Sequence, residues 1–327
     1  MKNLYRAIVS IISLAVLSAC GGGSSTTETT PVAATPTKGV LTLGVTDAPV
    51  DDAARVVVEF DGVTVKREGA DDLTFTFEAR QIDLLSLQGG GSELLLDDVE
   101  LDAGVYESIR LLVNAERNTM DSYVELPDTN QISLFVPSGA QSGLKLNDSF
   151  TVLAGGSTSL TIDFDLRKSL VNPRGQSDYF LKPRLRLIDN SESGEITGTV
   201  DEALITAEGC SEVASVYIFP ADVTVDGIDD IDIAEEGEED IGGADPLVTA
   251  TVSMNDEGVY TYMAAFIPSG DYVLGLTCQA DLDQMDIDNT LTDQNMPEQV
   301  VDFTASAEVS VATDAITEYN FTAESNE

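Results

Sequence analysis

The chain has 327 residues, with 16 Lys and Arg against 58 Asp and Glu, a net charge of −42, and neither His nor Trp. So acidic a chain excludes nucleic acid as a partner, because phosphate binding needs a basic surface. Without His there is no Ser-His-Asp triad, no Cys-His pair and no His-containing zinc site, and no GxSxG, Walker A or GxGxxG spelling occurs.

The first nineteen residues combine Lys2 and Arg6, a short apolar run and the small residues Ser18 and Ala19. This is the pattern of a secretory signal, and the run falls short of the roughly 20 apolar residues of a membrane-spanning helix. Leu17-Ser18-Ala19-Cys20 resembles the lipobox of bacterial lipoproteins. The resemblance implies a signal peptide over 1–19, lipidation of Cys20 and attachment to the membrane through that lipid. Gly21 in place of Asp after the cysteine implies transfer to the outer membrane of a Gram-negative envelope. Residues 20–37 are Gly, Ser, Thr, Pro and Ala with little apolar bulk. They read as a disordered tether of roughly 25 Å r.m.s. span.

Beyond the tether, apolar and polar residues alternate with period two, the signature of strands that bury one face. Leu41, Leu43 and Val45 set the pattern. Leu73, Phe75 and Phe77 repeat it, as do Ile162, Phe164 and Leu166, and then Leu181, Pro183, Leu185 and Leu187. Val56-Val57-Val58 reads as a strand buried on both faces, and residues 81–87 as one short helical turn. Asp61-Gly62, Gly89-Gly90-Gly91, Pro137-Ser138-Gly139 and Gly155-Gly156 mark turns. The fold class this predicts is all-β, with two antiparallel β-sandwich domains over 38–190 and 191–327.

The boundary falls at Asn190-Ser191-Glu192-Ser193-Gly194. No Lys or Arg follows Arg186, and 33 acidic side chains lie between Leu187 and the C-terminus. Strands are predicted near 195–200, 213–219, 247–254, 259–267, 272–278, 300–304, 307–311 and 316–321. With Cys20 assigned to the lipid, Cys210 and Cys278 are left in an oxidising compartment, so a disulfide between them is expected. Alternation through Tyr272, Leu274 and Leu276 points Cys278 to the apolar face.

Residues 38–188 resemble domain-of-unknown-function family 4382. The resemblance is carried by Thr46-Asp47-Ala48-Pro49 and the strand before it, and by Gly104-Val105-Tyr106-Glu107-Ser108-Ile109-Arg110-Leu111. Asp163-Phe164-Asp165-Leu166-Arg167-Lys168-Ser169 and Leu181-Lys182-Pro183-Arg184 add to it. It implies an exported or lipid-anchored protein and assigns no functional residue. Gly194 to Val200 and Ile267 to Leu274 resemble segments of carboxypeptidase-regulatory or transthyretin-like sandwiches, from which the acidic insertion at 222–245 departs.

Calcium is the candidate cofactor. It takes six to eight oxygens, and Asp226, Asp229, Asp230 and Asp232 offer four carboxylates in seven residues. Asp281, Asp283, Asp286 and Asp288 form a second acidic run. The EF-hand spelling fails, with Ile233 where the twelfth-position Glu belongs. Tyr260, Tyr262 and Tyr272 read as core rather than sugar-stacking rings. Ser142-Gly143-Leu144-Lys145 matches a bare SxxK but lacks its companion motifs. Lys182, Arg184 and Arg186 form a basic stripe on one predicted strand, expected to pair with Asp163 and Asp165 on a neighbouring one. The expectation is a non-catalytic, lipid-anchored envelope protein with a binding or structural role and an envelope protein or glycan as partner. The alternatives are a calcium- or glycan-binding surface adhesion module and a carboxylate-based hydrolase.

Overall fold

A computed structural model describes residues 37–48, 53–137, 143–171, 178–182, 184–211, 213–231, 244–283 and 301–323. Cys20 and the segment before the fold lie outside them. In chain order the first half contributes β1 (Lys38–Ala48), β2 (Arg55–Arg67), β3 (Leu73–Asp83), β4 (Glu93–Asp102), β5 (Gly104–Asn114), β6 (Tyr123–Glu125) and β7 (Gln131–Phe135). It continues with β8 (Leu144–Leu146), β9 (Phe150–Val152), β10 (Ser157–Asp165), β11 (Leu170–Val171), β12 (Tyr179–Leu181) and β13 (Leu185–Asp189).

These strands form two sheets. One has the order β13-β10-β1-β4, and the other β11-β12-β7-β6-β2-β5-β8, with β3 added to β2 and β9 to β5. Leu41, Leu43 and Val45 face Val58, Phe60, Val63 and Val65 in one continuous core, all of them fully buried. Each such side chain stabilises the fold by about 1.5–3 kcal/mol relative to exposure. Val56, Val57 and Val58 are all buried, as their unbroken apolar run predicts, and the expected short turn is a 3-10 helix at Leu84–Leu87.

The second half contributes β14 (Ser193–Val200), β15 (Ser215–Pro220), β16 (Val248–Thr251), β17 (Ser253–Met254), β18 (Tyr260–Pro268), β19 (Gly270–Thr277), β20 (Phe303–Val311) and β21 (Ile316–Glu318). Its sheets have the orders β17-β18-β14-β21 and β16-β15-β19-β20. Ile196, Val216, Ile218, Leu274 and Leu276 fill the space between them. The β15–β19 sheet is apolar on its other face too, where Tyr217, Phe219 and Val273 meet Ile231 and Phe303. Gly275 lies under that layer: a Cβ there would fall 2.7 Å from the Phe303 ring.

The all-β, sandwich-like fold is as predicted, but the sheets are mixed rather than antiparallel. β1 pairs with β10, β7 with β12 and β14 with β21 in parallel. A crossover between the two layers returns the chain in its original direction, so a strand placed beside an earlier one by such a path runs parallel to it. Beside β14 the parallel arrangement needs close backbone approach. At Gly198 a Cβ would lie 1.6 Å from the Tyr319 carbonyl oxygen, so only glycine fits beside the chain that leaves β21.

Three strand expectations and one turn change. Residues 247–254, expected as one strand, divide between β16 in one sheet and β17 in the other. Asp61-Gly62, expected as a turn, lies inside β2, where the pairing shifts register between Phe60 and Gly62. The strands expected at 300–304 and 307–311 are one in the described residues, β20 (Phe303–Val311), with an irregularity in its pairing at Leu276/Thr277. Residues 181–187, expected as one strand, divide between β12 in one sheet and β13 in the other. Pro183 has no N–H to give to a ladder, and the chain on either side of it is tied to Ser169. Lys182 donates its backbone N–H to the Ser169 carbonyl at 2.8 Å, and Arg184 donates its own to Ser169 Oγ at 2.8 Å. Lys182, Arg184 and Arg186 therefore do not form one stripe.

Residues from 36 onward make one compact unit. Within it the first two sheets are built from residues 38–189 and the second two from 193–318.

Candidate functional site: the seam between the two halves

After β10 the alternation stops, and Asp165 caps a one-turn helix, α1 (Leu166–Ser169), by accepting the Lys168 N–H at 3.2 Å. The turn projects two adjacent cations at the acidic half. Arg167 Nη1 donates to the Tyr217 hydroxyl at 2.8 Å and lies 3.7 Å from Asp283 Oδ2. The Tyr217 hydroxyl donates in turn to Asp283 Oδ2, and the Ile231 N–H reaches both Asp283 oxygens at 3.3 Å. The Arg167 and Asp283 side chains are only 6% and 2% exposed. A buried ion pair holds when hydrogen bonds satisfy both partners, and losing one partner strands the other. Lys168 Nζ adds a bond to the Pro246 carbonyl at 2.9 Å and an ion pair with Asp245 at 3.5 Å.

Burial raises the Asp165 carboxyl above the ordinary carboxylate range; Lys168, close by, and the capping N–H oppose the shift. Asp163 was expected on a wet face, yet it is buried at 5% exposure because the second half covers that side of β10. Its expected cross-strand partner is correct: Arg186 Nη2 donates to Asp163 Oδ2 at 2.8 Å, and the two residues stand opposite each other in the β10–β13 ladder. Docking of the acidic half thus uses Arg167 and Lys168, while Arg186 serves the sheet. The sequence signal for this was the pair of adjacent cations at the point where alternation fails.

Cys210 and Cys278 form the expected disulfide, with Cα atoms 5.0 Å apart and Cys278 buried in the core of the second half. The Ser211 N–H donates to the Cys278 carbonyl at 2.9 Å, which secures the bridge at the end of β19.

For the calcium expectation, the positions divide. Asp232, Asp286 and Asp288 lie outside the described residues, as does the Asp226 side chain. Asp229 accepts the Asp230 N–H at 3.0 Å, and Asp230 is buried. Asp281 accepts the Ser211 hydroxyl, and Asp283 belongs to the contact with Arg167. Among the described residues no group of three acidic or Cys side chains could hold a metal ion. Ser142 of the SxxK spelling also lies outside them. The three tyrosines are core or hairpin residues. Tyr262 donates to the Tyr319 carbonyl at 2.8 Å and Tyr272 to the Pro268 carbonyl at 2.7 Å, while Tyr260 packs against the same core. Burial raises the phenol pKa of both Tyr262 and Tyr272.

Beside the ionic contact the halves enclose a cleft of about 500 Å³. Thr46 and Asp47 line it from β1, Gly89 and Gly90 from the turn before β4, and Thr249, Thr251, Met263 and Phe266 from the second half. The Thr46 hydroxyl bonds the Gly91 carbonyl at 2.7 Å, which holds the glycine turn against the rim. Gly90 sits so close to β18 that a Cβ would lie 3.2 Å from Ala265. The Thr46-Asp47 pair that carried the sequence resemblance therefore stands at the seam.

No curated protein matches the chain. Several solved structures are similar at low identity. The Bacillus anthracis TIE protein is 12% identical, with a TM-score of 0.19, over 86% of this chain and 33% of its own. A leucine-rich repeat protein from Bacteroides thetaiotaomicron is 13% identical, with a TM-score of 0.21, over 88% of this chain and 27% of its own. The chain thus spans about a third or less of the length of these two. A shaft pilin, spaA, from Lactobacillus rhamnosus GG is 12% identical, with a TM-score of 0.20, over 88% of this chain and 97% of its own. Residues 38–183, which carry β1 to β12 and the α1 turn, match the family model described as "Domain of unknown function (DUF4382)".

Proposed function

We propose that this chain is a lipid-anchored, non-catalytic binding protein of the outer membrane, tethered through Cys20. The observation that carries the reading is the buried Arg167–Tyr217–Asp283 contact. It fixes one sandwich against the other, so a partner meets a recess of set shape rather than two swinging modules. Preorganisation of this kind favours binding, because less freedom is lost on association. The lipobox-like Leu17-Ser18-Ala19-Cys20 supports the address.

Membrane fractionation of the producing cells tests the anchor. The protein should sediment with outer membranes and the Cys20→Ser variant should not; equal sedimentation of both would sink the lipid anchor. Protease shaving of intact cells then assigns the side. Release of fragments from both halves places them at the cell surface, and protection until the outer membrane is opened places them in the periplasm.

A further inference from the structure

The cleft at the seam has a chemistry that the ionic contact does not use. We infer that it binds a neutral, hydroxyl-rich ring compound, a sugar unit; this rests on the binding reading above and names the ligand class for that recess.

The first support is the balance of donors and acceptors. Asp47 and Asp163 border the cleft, and none of the described residues lining it is Lys or Arg. Carboxylates only accept hydrogen bonds, so a ligand group that meets either of them must be a donor. Asp163 is already engaged by Arg186 at 2.8 Å, which lowers the demand for a cationic ligand at that side. The Thr249, Thr251 and Ser253 hydroxyls both donate and accept. Sugar hydroxyls do the same, and they suit such a mixed lining without adding charge. An anionic ligand would meet two carboxylates within a chain of net charge −42.

The second support is an open valence. Thr251 Oγ1 is buried and has no hydrogen-bond partner. Ser215, directly opposite it in the β15–β16 ladder and fully buried, has a hydroxyl in the same condition. A buried polar atom without a partner is costly, and the Thr251 hydroxyl, beside a polar recess, has a donor and an acceptor to offer a bound molecule.

The third support is the lip. Phe266 holds a φ of +57°, a strained conformation for a bulky residue, next to the irregularity between Gly194 and Ile196 in the β14–β18 pairing. Strain of this sort clusters at ligand clamps. Phe266 and the exposed Met263 both line the cleft and offer apolar surface on which the face of a sugar ring can rest. The cleft volume of about 500 Å³ lies within the range of small-molecule sites, about 300–1,000 Å³.

The test uses the mature chain with methyl-labelled Met, Thr and Ala. Glucose, galactose, N-acetylglucosamine and their disaccharides are titrated by NMR, with glucosamine and glucuronate as charged probes. The expected result is a saturable shift of the Met263 and Thr251 methyls with at least one neutral sugar. Thr251→Val, which keeps shape and removes the hydroxyl, and Asp47→Asn should each weaken binding tenfold or more. If Asp47→Asn does not fold, Thr251→Val carries the test. No shift with any neutral sugar, binding of the charged probes alone, or an affinity unchanged in Thr251→Val would overturn the inference. Fractionation is read separately: a protein that sediments with the outer membrane but binds no sugar loses the ligand class and keeps its proposed address.

Discussion

The Arg167 guanidinium donates to the Tyr217 hydroxyl at 2.8 Å across the seam, with its charged carbon 5.8 Å from the centre of the same ring. One residue of the first half is thereby held at the polar tip of a tyrosine in the second. Asp283 completes the arrangement and is itself pinned by the Ile231 N–H.

Removing the cation should therefore do more than delete one bond. Arg167→Ala leaves Asp283 buried without its counter-charge, and a loss of about 3–5 kcal/mol is expected. Tyr217→Phe keeps the ring and removes the hydroxyl, and should cost about 1–3 kcal/mol. Urea melts followed by probes placed in each half check both. The two transitions should coincide in the parent and separate in Arg167→Ala; coincident midpoints in that variant would dismiss the contact as the coupling element.

The Cys210–Cys278 bridge closes a loop with a sequence separation of 68. Cys210→Ser with Cys278→Ser should lower stability by about 4 kcal/mol in the chain-entropy account. The loss should fall on the second half, whose core contains Cys278. Denaturation of the double variant beside the parent, each with and without reductant, measures it. The reductant should shift only the parent.

Asp165 makes a pH-dependent contribution of unusual sign. Its folded-state pKa is raised, mainly by burial, so the folded chain holds this proton more tightly than the unfolded one. The stabilisation is present in full below the unfolded value and is lost as pH rises through the folded one. Asp165→Asn removes this term and keeps an oxygen that can cap the Lys168 N–H. Relative to the parent, the variant should gain stability as pH rises from about 4 through the elevated pKa. Paired melts across that range read the difference, and a difference constant with pH would show that Asp165 does not titrate in this way.

Gly198→Ala should break the edge of the β14–β21 sheet. Its new methyl would need space held by the Tyr319 carbonyl, 1.6 Å away. The chain end must move, at a cost of about 1–3 kcal/mol or more for overpacking. Hydrogen exchange at the Tyr319 amide, which donates to the Thr197 carbonyl at 2.9 Å, should speed up first. Protection equal to the parent's would mean that the strand adapts in place.

Period-two alternation made the strands legible because β geometry sends successive side chains to opposite faces whatever the distant partner. The core positions Leu41, Leu43, Val45, Ile162 and Phe164 could thus be read directly. The Cys210–Cys278 pairing was legible for a different reason: once Cys20 was set aside, no other combination remained. The break at Pro183 was written in the chain as well, although the alternation on either side of it masked the change of sheet.

Strand direction and the seam were decided by tertiary structure alone. Nothing local distinguishes β10 as a parallel neighbour of β1, since one face alternates the same way in either direction. Arg167 meets a tyrosine 50 residues further along, in a different pair of sheets, and Asp163 loses its expected solvent to the same docking. Alternation and turn chemistry are short-range properties of a few neighbouring residues. Which acidic side chain receives Arg167, and which polar face becomes the wall of a cleft, depends on how two completed sandwiches come to rest on each other.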